Sequence, residues 1–255
     1  MGTSKKTIRG LLALGLAVGL AAAACSSSSG LGGNNGNNGS GGNGAGGTGG
    51  SLTSGLSSNL DKLDSYQFSW QFSSSSSTAT SADTGVFETS GTVINKPVKS
   101  YQINDLGMFQ VIVIGSDGWT SYDNGSTWTA DTTYSSDSSA LTALLPDSLY
   151  GSDFDTNAAE FSVAGNENKN GIDCIHYTGN SNLGAIGAIA GINATFKADL
   201  WVAKDGNYPV SGFYGWSGSA GGEAGTWGYS FDVKNVNSAS NKVTAPTNVI
   251  TAPSF

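Results

Sequence analysis

Tyr66-Gln-Phe-Ser-Trp-Gln-Phe-Ser73 alternates aromatic and small polar side chains without a break. In an extended chain successive side chains point to opposite faces. Tyr66, Phe68, Trp70 and Phe72 therefore make one strongly apolar face, while Gln67, Ser69, Gln71 and Ser73 make a polar one. A helical period of 3.6 would scatter these aromatics around the axis, so the stretch is a strand. A strand with one apolar face belongs to a sheet with one side buried and the other wet.

Reading outward from it, further strands are expected at about 84–94, 98–105, 108–115, 117–123 and 127–132. A later set covers about 159–165, 172–178, 195–203, 209–217 and 225–234. Turn residues separate them: Gly115-Ser-Asp-Gly118, Asp123-Asn-Gly125, Asn168-Lys-Asn-Gly171 and Lys204-Asp-Gly206. Connections this short allow hairpins and exclude crossovers, so the sheet is expected to be antiparallel. On the N-terminal side, Leu52, Leu56, Leu60 and Leu63 recur at helical spacing and predict an amphipathic helix of about three turns. Leu141, Leu144, Leu145 and Leu149 predict a short mid-chain helix broken at Pro146. The expected fold class is mainly β (α+β). It is a single strongly curved antiparallel sheet of about 10–11 strands, with the two helices over its concave face. A curled sheet closed by helices leaves an apolar hollow suited to a lipid-sized ligand.

The first 50 residues have a different character. Lys5, Lys6 and Arg9 precede the apolar run Leu11–Leu20 and the alanines 21–24. This is the layout of a secretory signal, residues 1–24, too short for a stable membrane span. Alanines followed directly by Cys25 resemble the lipobox of bacterial lipoproteins, although position 22 is Ala where Leu is usual. Cys25 is therefore expected to carry a lipid anchor, with ordinary signal cleavage and a free thiol as the alternative. Residues 26–50 hold no charge and no aromatic. Such a segment cannot offset its ordering entropy and reads as a tether of roughly 25–30 Å span. The folded domain is then expected over 51–250, with a short tail at 251–255.

Export would remove three of the 11 Lys and Arg and none of the 19 Asp and Glu, leaving a net charge of −11. Such a chain is a poor partner for nucleic acid. With Cys25 lipidated, Cys174 has no disulfide partner. In "GIDCIHY" it shares strand parity with His176, the only histidine. Residues two apart on a strand stand about 6–7 Å apart, too far for a nucleophile–base hydrogen bond. No zinc-ligand spacing, P-loop, G-x-S-x-G or EF-hand loop is present. The chain is read as a non-enzyme with no catalytic residues, no cofactor and no metal.

Ser121-Tyr-Asp-Asn-Gly-Ser-Thr-Trp128 matches S-x-D-x-G-x-T-W and resembles the Asp-box of sialidases and other propeller proteins. A propeller needs several copies and more chain than is present here. Ser121, Asp123, Gly125, Thr127 and Trp128 are accordingly read as a structural hairpin turn. Asp123 accepts N–H groups, Gly125 supplies a positive φ, and Trp128 folds back as a lid. Of the six Trp, nine Tyr and ten Phe, most must be core. Phe68, Trp70, Phe72, Phe87, Val111, Val113, Trp201 and Phe213 are the candidate lining of the hollow. A rival places Trp216, Trp227 and Tyr229 on the convex face as sugar-stacking platforms.

Taken in order, several pieces resemble the LolA-like lipoprotein-carrier superfamily, nearest its lipid-anchored LprG/LppX type. They are the lipobox and tether, "LSSNLDKLDSYQFSW", "GSDGWTSYDNGSTW", "LLPDSLYGSDF", "AGNENKNGIDCIHYTG", "ATFKADLWVAKDGNYPVSG" and "FDVKNVNSASNKVTAPT". The resemblance spans about 52–250. It implies a half-barrel of about eleven strands that binds acyl chains without catalysis and serves the cell envelope. It departs at 182–196, which is richer in Gly and Ala than the family leads one to expect. The expected protein is an exported, monomeric, lipid-anchored carrier of a hydrophobic ligand, with an unidentified envelope protein as possible partner. The alternatives are a structural or envelope-sensing lipoprotein with a filled core, and a carbohydrate-binding module.

Overall fold

The computed structural model describes residues 56–76, 86–105, 107, 109–136, 145, 161–182, 192–220 and 223–250. The chain divides into two units, Met1–Gly47 and Thr48–Phe255, and every described residue belongs to the second. The signal, Cys25, the tether, the mid-chain helix apart from Leu145, most of 182–196 and the tail therefore lie outside the described residues.

Among the described residues, twelve strands form one sheet. They are β1 (Ser65–Ser76), β2 (Val86–Ile94), β3 (Ser100–Asp105), β4 (Phe109–Ile114), β5 (Asp117–Ser121) and β6 (Trp128–Ala130). The second half contributes β7 (Phe161–Lys169), β8 (Ile172–Asn182), β9 (Ile192–Ala203), β10 (Pro209–Ala220), β11 (Glu223–Lys234) and β12 (Val249–Ile250). The order is β12-β6-β5-β4-β3-β2-β1-β11-β10-β9-β8-β7, an open curved sheet. Two meanders meet where β1 pairs with β11, so the strand read first in the sequence stands at the centre.

Two expectations need correction. The sheet is mixed, because β12 runs parallel to β6, with Val249 opposite Trp128. The hairpin rule applies only to strands joined by tight turns. β12 is reached through the long segment 235–248, which leaves its direction free. The leading helix, within the described residues, is a 3-10 helix at Ser57–Lys62 and not an α-helix. Its i+3 bonds run from Asn59 N–H to Leu56 O and from Leu63 N–H to Leu60 O. Leucine spacing identified which side chains are buried, since Leu56, Leu60 and Leu63 all are, but it does not set the hydrogen-bond period. The last turn is clamped from outside, where Asn95 Nδ2 donates to Leu60 O (3.0 Å) and Leu63 O (2.9 Å). Those donations satisfy carbonyls that a helix end leaves unpaired.

Pairing partners share a face, so register alone sorts the sheet. Phe68 lies opposite Val233 and Gly91, and Gly91 opposite Ile103, which faces Val111. Tyr66, Val93, Tyr101 and Val113 form the parallel row beside it. These rows, with Leu60 and Leu63, make one packed cluster. A second cluster gathers Leu56, Phe161, Tyr177, Leu200, Val202, Tyr214 and Phe231. Trp70 packs against both. The side covered by the 3-10 helix is hereafter the inner face. Two glycines make room on it. A Cβ on Gly91 would come within 2.8 Å of the Phe68 ring, and one on Gly212 within 2.3 Å of the Phe231 ring.

Candidate functional site on the inner face

Trp70 marks a boundary on the inner face. On one side of it lie the filled rows, where Phe68 is buried and Val111 and Val113 are fully so. On the other, β1 continues to Phe72, which is half-buried, as is its partner Tyr229. Their rings pack at 4.8 Å between centroids, tilted by 46°. Trp70 is half-buried too, and its Nε1–H is shielded from solvent without a hydrogen-bond partner among the described residues. Phe72 is also in register with position 87, and the Phe87 side chain lies outside the described set. The inner face is thus a closed core that grades into partly covered aromatic surface.

The Trp70 row also carries polar groups. Trp70 is opposite Thr89, and Thr89 is opposite Asp105, which faces Phe109. Thr89 is fully buried and Asp105 is 8% exposed. The Thr89 hydroxyl donates to Asp105 Oδ1. Thr89, Asp105 and Tyr229 escaped the sequence reading. Asp105 was legible in principle, because it continues the alternation Tyr101, Ile103 onto the same face.

Trp201 and Phe213 are not part of this surface. Trp201 is opposite Ser211 and Phe213 opposite Asp199. Ser211 is in turn opposite Asp232, which faces Ser69 between Phe68 and Trp70. Both positions therefore have the parity of the outer face, and Trp201 also packs against the first cluster. The reason is local: Leu200-Trp201-Val202-Ala203 is apolar throughout and Phe213-Tyr214 is doubly aromatic, so neither stretch shows its parity. Trp201 stacks on His176 at 4.3 Å and 9°. His176 Nδ1 meets Glu167 Oε1 at 3.0 Å and its Nε2 meets Asp199 Oδ1 at 2.9 Å. Trp201 Nε1 donates to Glu167 Oε2 at 2.9 Å. The bonds from Trp201 and His176 lower the Glu167 pKa below its ordinary 4.5. This cluster ties the edge strand β7 to β9. Phe213 is 41% exposed and lies over Gly215 and Gly228, beside a trough of about 180 Å³. A second trough, about 340 Å³, is lined mainly by polar groups such as Gln67, Ser90, Thr92 and Gln102.

Cys174 is fully buried, and its thiol donates to Ile172 O at 3.3 Å. Burial raises its pKa, and His176 is engaged elsewhere, so no thiol–imidazole pair forms. Among the described residues, no three His, Cys, Asp or Glu side chains are placed to hold a metal ion.

The hairpin 121–128 is held by its own atoms. Asp123 Oδ1 accepts from Thr127 N (2.9 Å) and Ser121 Oγ (2.8 Å), and Oδ2 accepts from Thr127 Oγ1 (2.6 Å). Gly125 N donates to Ser121 Oγ, and Trp128 Nε1 donates to Gly125 O. Gly125 sits at φ +80°, which an L side chain rarely adopts. The hydrogen bonds from Thr127, then from Ser121, lower the Asp123 pKa from 3.8 to about 2. The rival sugar platform fares differently. Positions 216, 227 and 74 share one row, with the parity of Trp70 and Phe72, and Tyr229 packs on Phe72. That is the inner side of the sheet, not the outer one.

No family model and no curated protein sequence matches the chain. Similar solved structures include the lipoprotein LppX of Mycobacterium tuberculosis, 13% identical, with 73% of this chain and 93% of that one covered at a TM-score of 0.36. LprF from Mycobacterium bovis is 9% identical, with coverages of 75% and 93% and a TM-score of 0.35. A LolA superfamily protein of Nitrosomonas europaea is 13% identical, covering 70% and 91% at 0.23. LppX and the LolA superfamily are also the names to which the sequence resemblance led. Overlaps this loose say nothing of ligand or mechanism, which only the residues can supply.

Proposed function

We propose that the chain is an exported, lipid-anchored, monomeric protein of the cell envelope. Without catalysis, it binds an acyl-chain lipid against the aromatic end of its inner face. One observation carries the reading: Trp70, Phe72 and Tyr229 are half-buried on the side of the sheet that is otherwise core. Large aromatic rings on a partly covered apolar wall gain free energy from any hydrocarbon that removes them from water. The basic and apolar start, Cys25 and the uncharged tether support export and anchoring, and the acidic balance speaks against nucleic acid.

The test uses the full chain expressed in an exporting bacterium, taken from the membrane fraction and examined by native mass spectrometry. The expected result is a diacylated mass that Cys25→Ala abolishes, together with non-covalent lipid adducts. Phe72→Ala and Trp70→Ala should each lose most of the adducts while thermal unfolding shows the fold retained. A clean apo mass after exposure to envelope lipids would reject ligand binding. It would favour the filled-core structural or sensing protein, for which the full burial of Tyr101, Ile103, Val111 and Val113 already gives a basis.

A further inference from the structure

The polar groups in the Trp70 row point to a narrower class of ligand. We infer that this site takes a neutral amphiphile whose polar junction carries both a carbonyl and a hydroxyl, a partial glyceride being the simplest example; this rests on the lipid-binding reading above. Trp70 Nε1–H can only donate, and it is shielded from solvent without a partner among the described residues. A carbonyl oxygen is what it lacks. Asp105 can accept through both oxygens; Oδ1 takes the Thr89 hydroxyl, and Oδ2 is not among the solvent-shielded unpaired atoms, so it is open to a further donor. A hydroxyl donated to the second oxygen would complete it. Thr89 stands between the two in register, so donor and acceptor are two strands apart, about 9–10 Å between backbones. Both lie where the filled core gives way to Phe72 and Tyr229, which is where the polar end of an acyl chain lying on those rings would arrive.

The same geometry discriminates. A plain hydrocarbon would leave the indole N–H unpaired and would cut the second Asp105 oxygen off from water without giving it a donor, which is disfavoured. A fatty acid would bring a second carboxyl group to Asp105. The order expected is monoacylglycerol first, then the fatty acid and the hydrocarbon.

The full chain, freed of co-purifying lipid, is offered an equimolar mixture of 1-monooleoylglycerol, oleate and a long-chain alkene, and the retained species are weighed by native mass spectrometry. Monooleoylglycerol should exceed each of the others by about tenfold, the factor associated with one hydrogen bond to a buried group. Asp105→Asn, which keeps an acceptor for Thr89, should bring oleate to within about threefold of it. Trp70→Phe should lower monooleoylglycerol retention about tenfold relative to that of the alkene. Retention of all three without preference, or of oleate first, unaltered by either substitution in a folded protein, overturns the inference and leaves the function standing. Retention of none overturns both.

Discussion

Asp123 illustrates how much a single side chain is asked to do. Its two oxygens receive three hydrogen bonds from Ser121 and Thr127, all of which favour the ionised form. The folded pKa is about 2 against an ordinary 3.8. A depressed pKa stabilises the fold above the unfolded value and loses that contribution as pH falls through the folded one. The carboxyl carbon of Asp123 should therefore titrate near pH 2 by NMR. The stability gap between wild type and Asp123→Asn should be widest above pH 4, narrow between 4 and 2, and close below. A gap that does not change over this range would show that the hydrogen bonds are not what depresses the group. Sequence and geometry agree most closely at this residue, because every partner lies within four positions of it. Asp105 is the opposite case: its carboxyl group is buried beside Thr89, sixteen residues away, and nothing in "YQINDLG" names that partner.

Elements were legible to the extent that alternation was clean. Each strand expected from period-2 pattern and turn residues has its counterpart in β1 to β11, while β12, two residues of loop-like sequence, was not readable. The 3-10 helix shows that apolar spacing reports burial and not hydrogen bonding. Glycines separate local from tertiary demands in the same way. A Cβ on Gly118 in β5 would come within 2.2 Å of Tyr134 O and 2.7 Å of Asp131 O. Backbone atoms cannot swing aside, so Gly118→Ala should cost about 1–3 kcal/mol in urea unfolding. Gly165 in β7 has nothing within 4 Å of its would-be Cβ, and Gly165→Ala should stay within about 0.5 kcal/mol. Equal effects would show that the Tyr134 segment does not press on β5 in solution.

For the whole molecule, the joint between β1 and β11 decides cohesion. Two meanders far apart in sequence share it, and Leu56 and Leu60 of the 3-10 helix reach one cluster each. Leu60 is 1% exposed, so Leu60→Ala should cost about 2–5 kcal/mol. Because Trp70 packs against both clusters, the loss should appear as one cooperative transition in both circular dichroism and tryptophan emission. Separate transitions would mean that the halves of the sheet unfold independently.

What the sequence determined by itself was everything carried by neighbours in the chain. The alternation of 66–73 makes a strand with an aromatic face, Asn-Gly and Asp-Gly pairs make turns, and Ser121 to Trp128 close their own hairpin. Hydrogen bonds and steric limits over a few residues suffice for these. Which face Trp201 and Phe213 occupy, that Thr89 and Asp105 join Trp70 in one row, and that β12 lies parallel to β6 were decided only by tertiary structure. Each depends on strand register between segments distant in sequence, and a shift of one residue in that register moves every side chain of a strand to the opposite face.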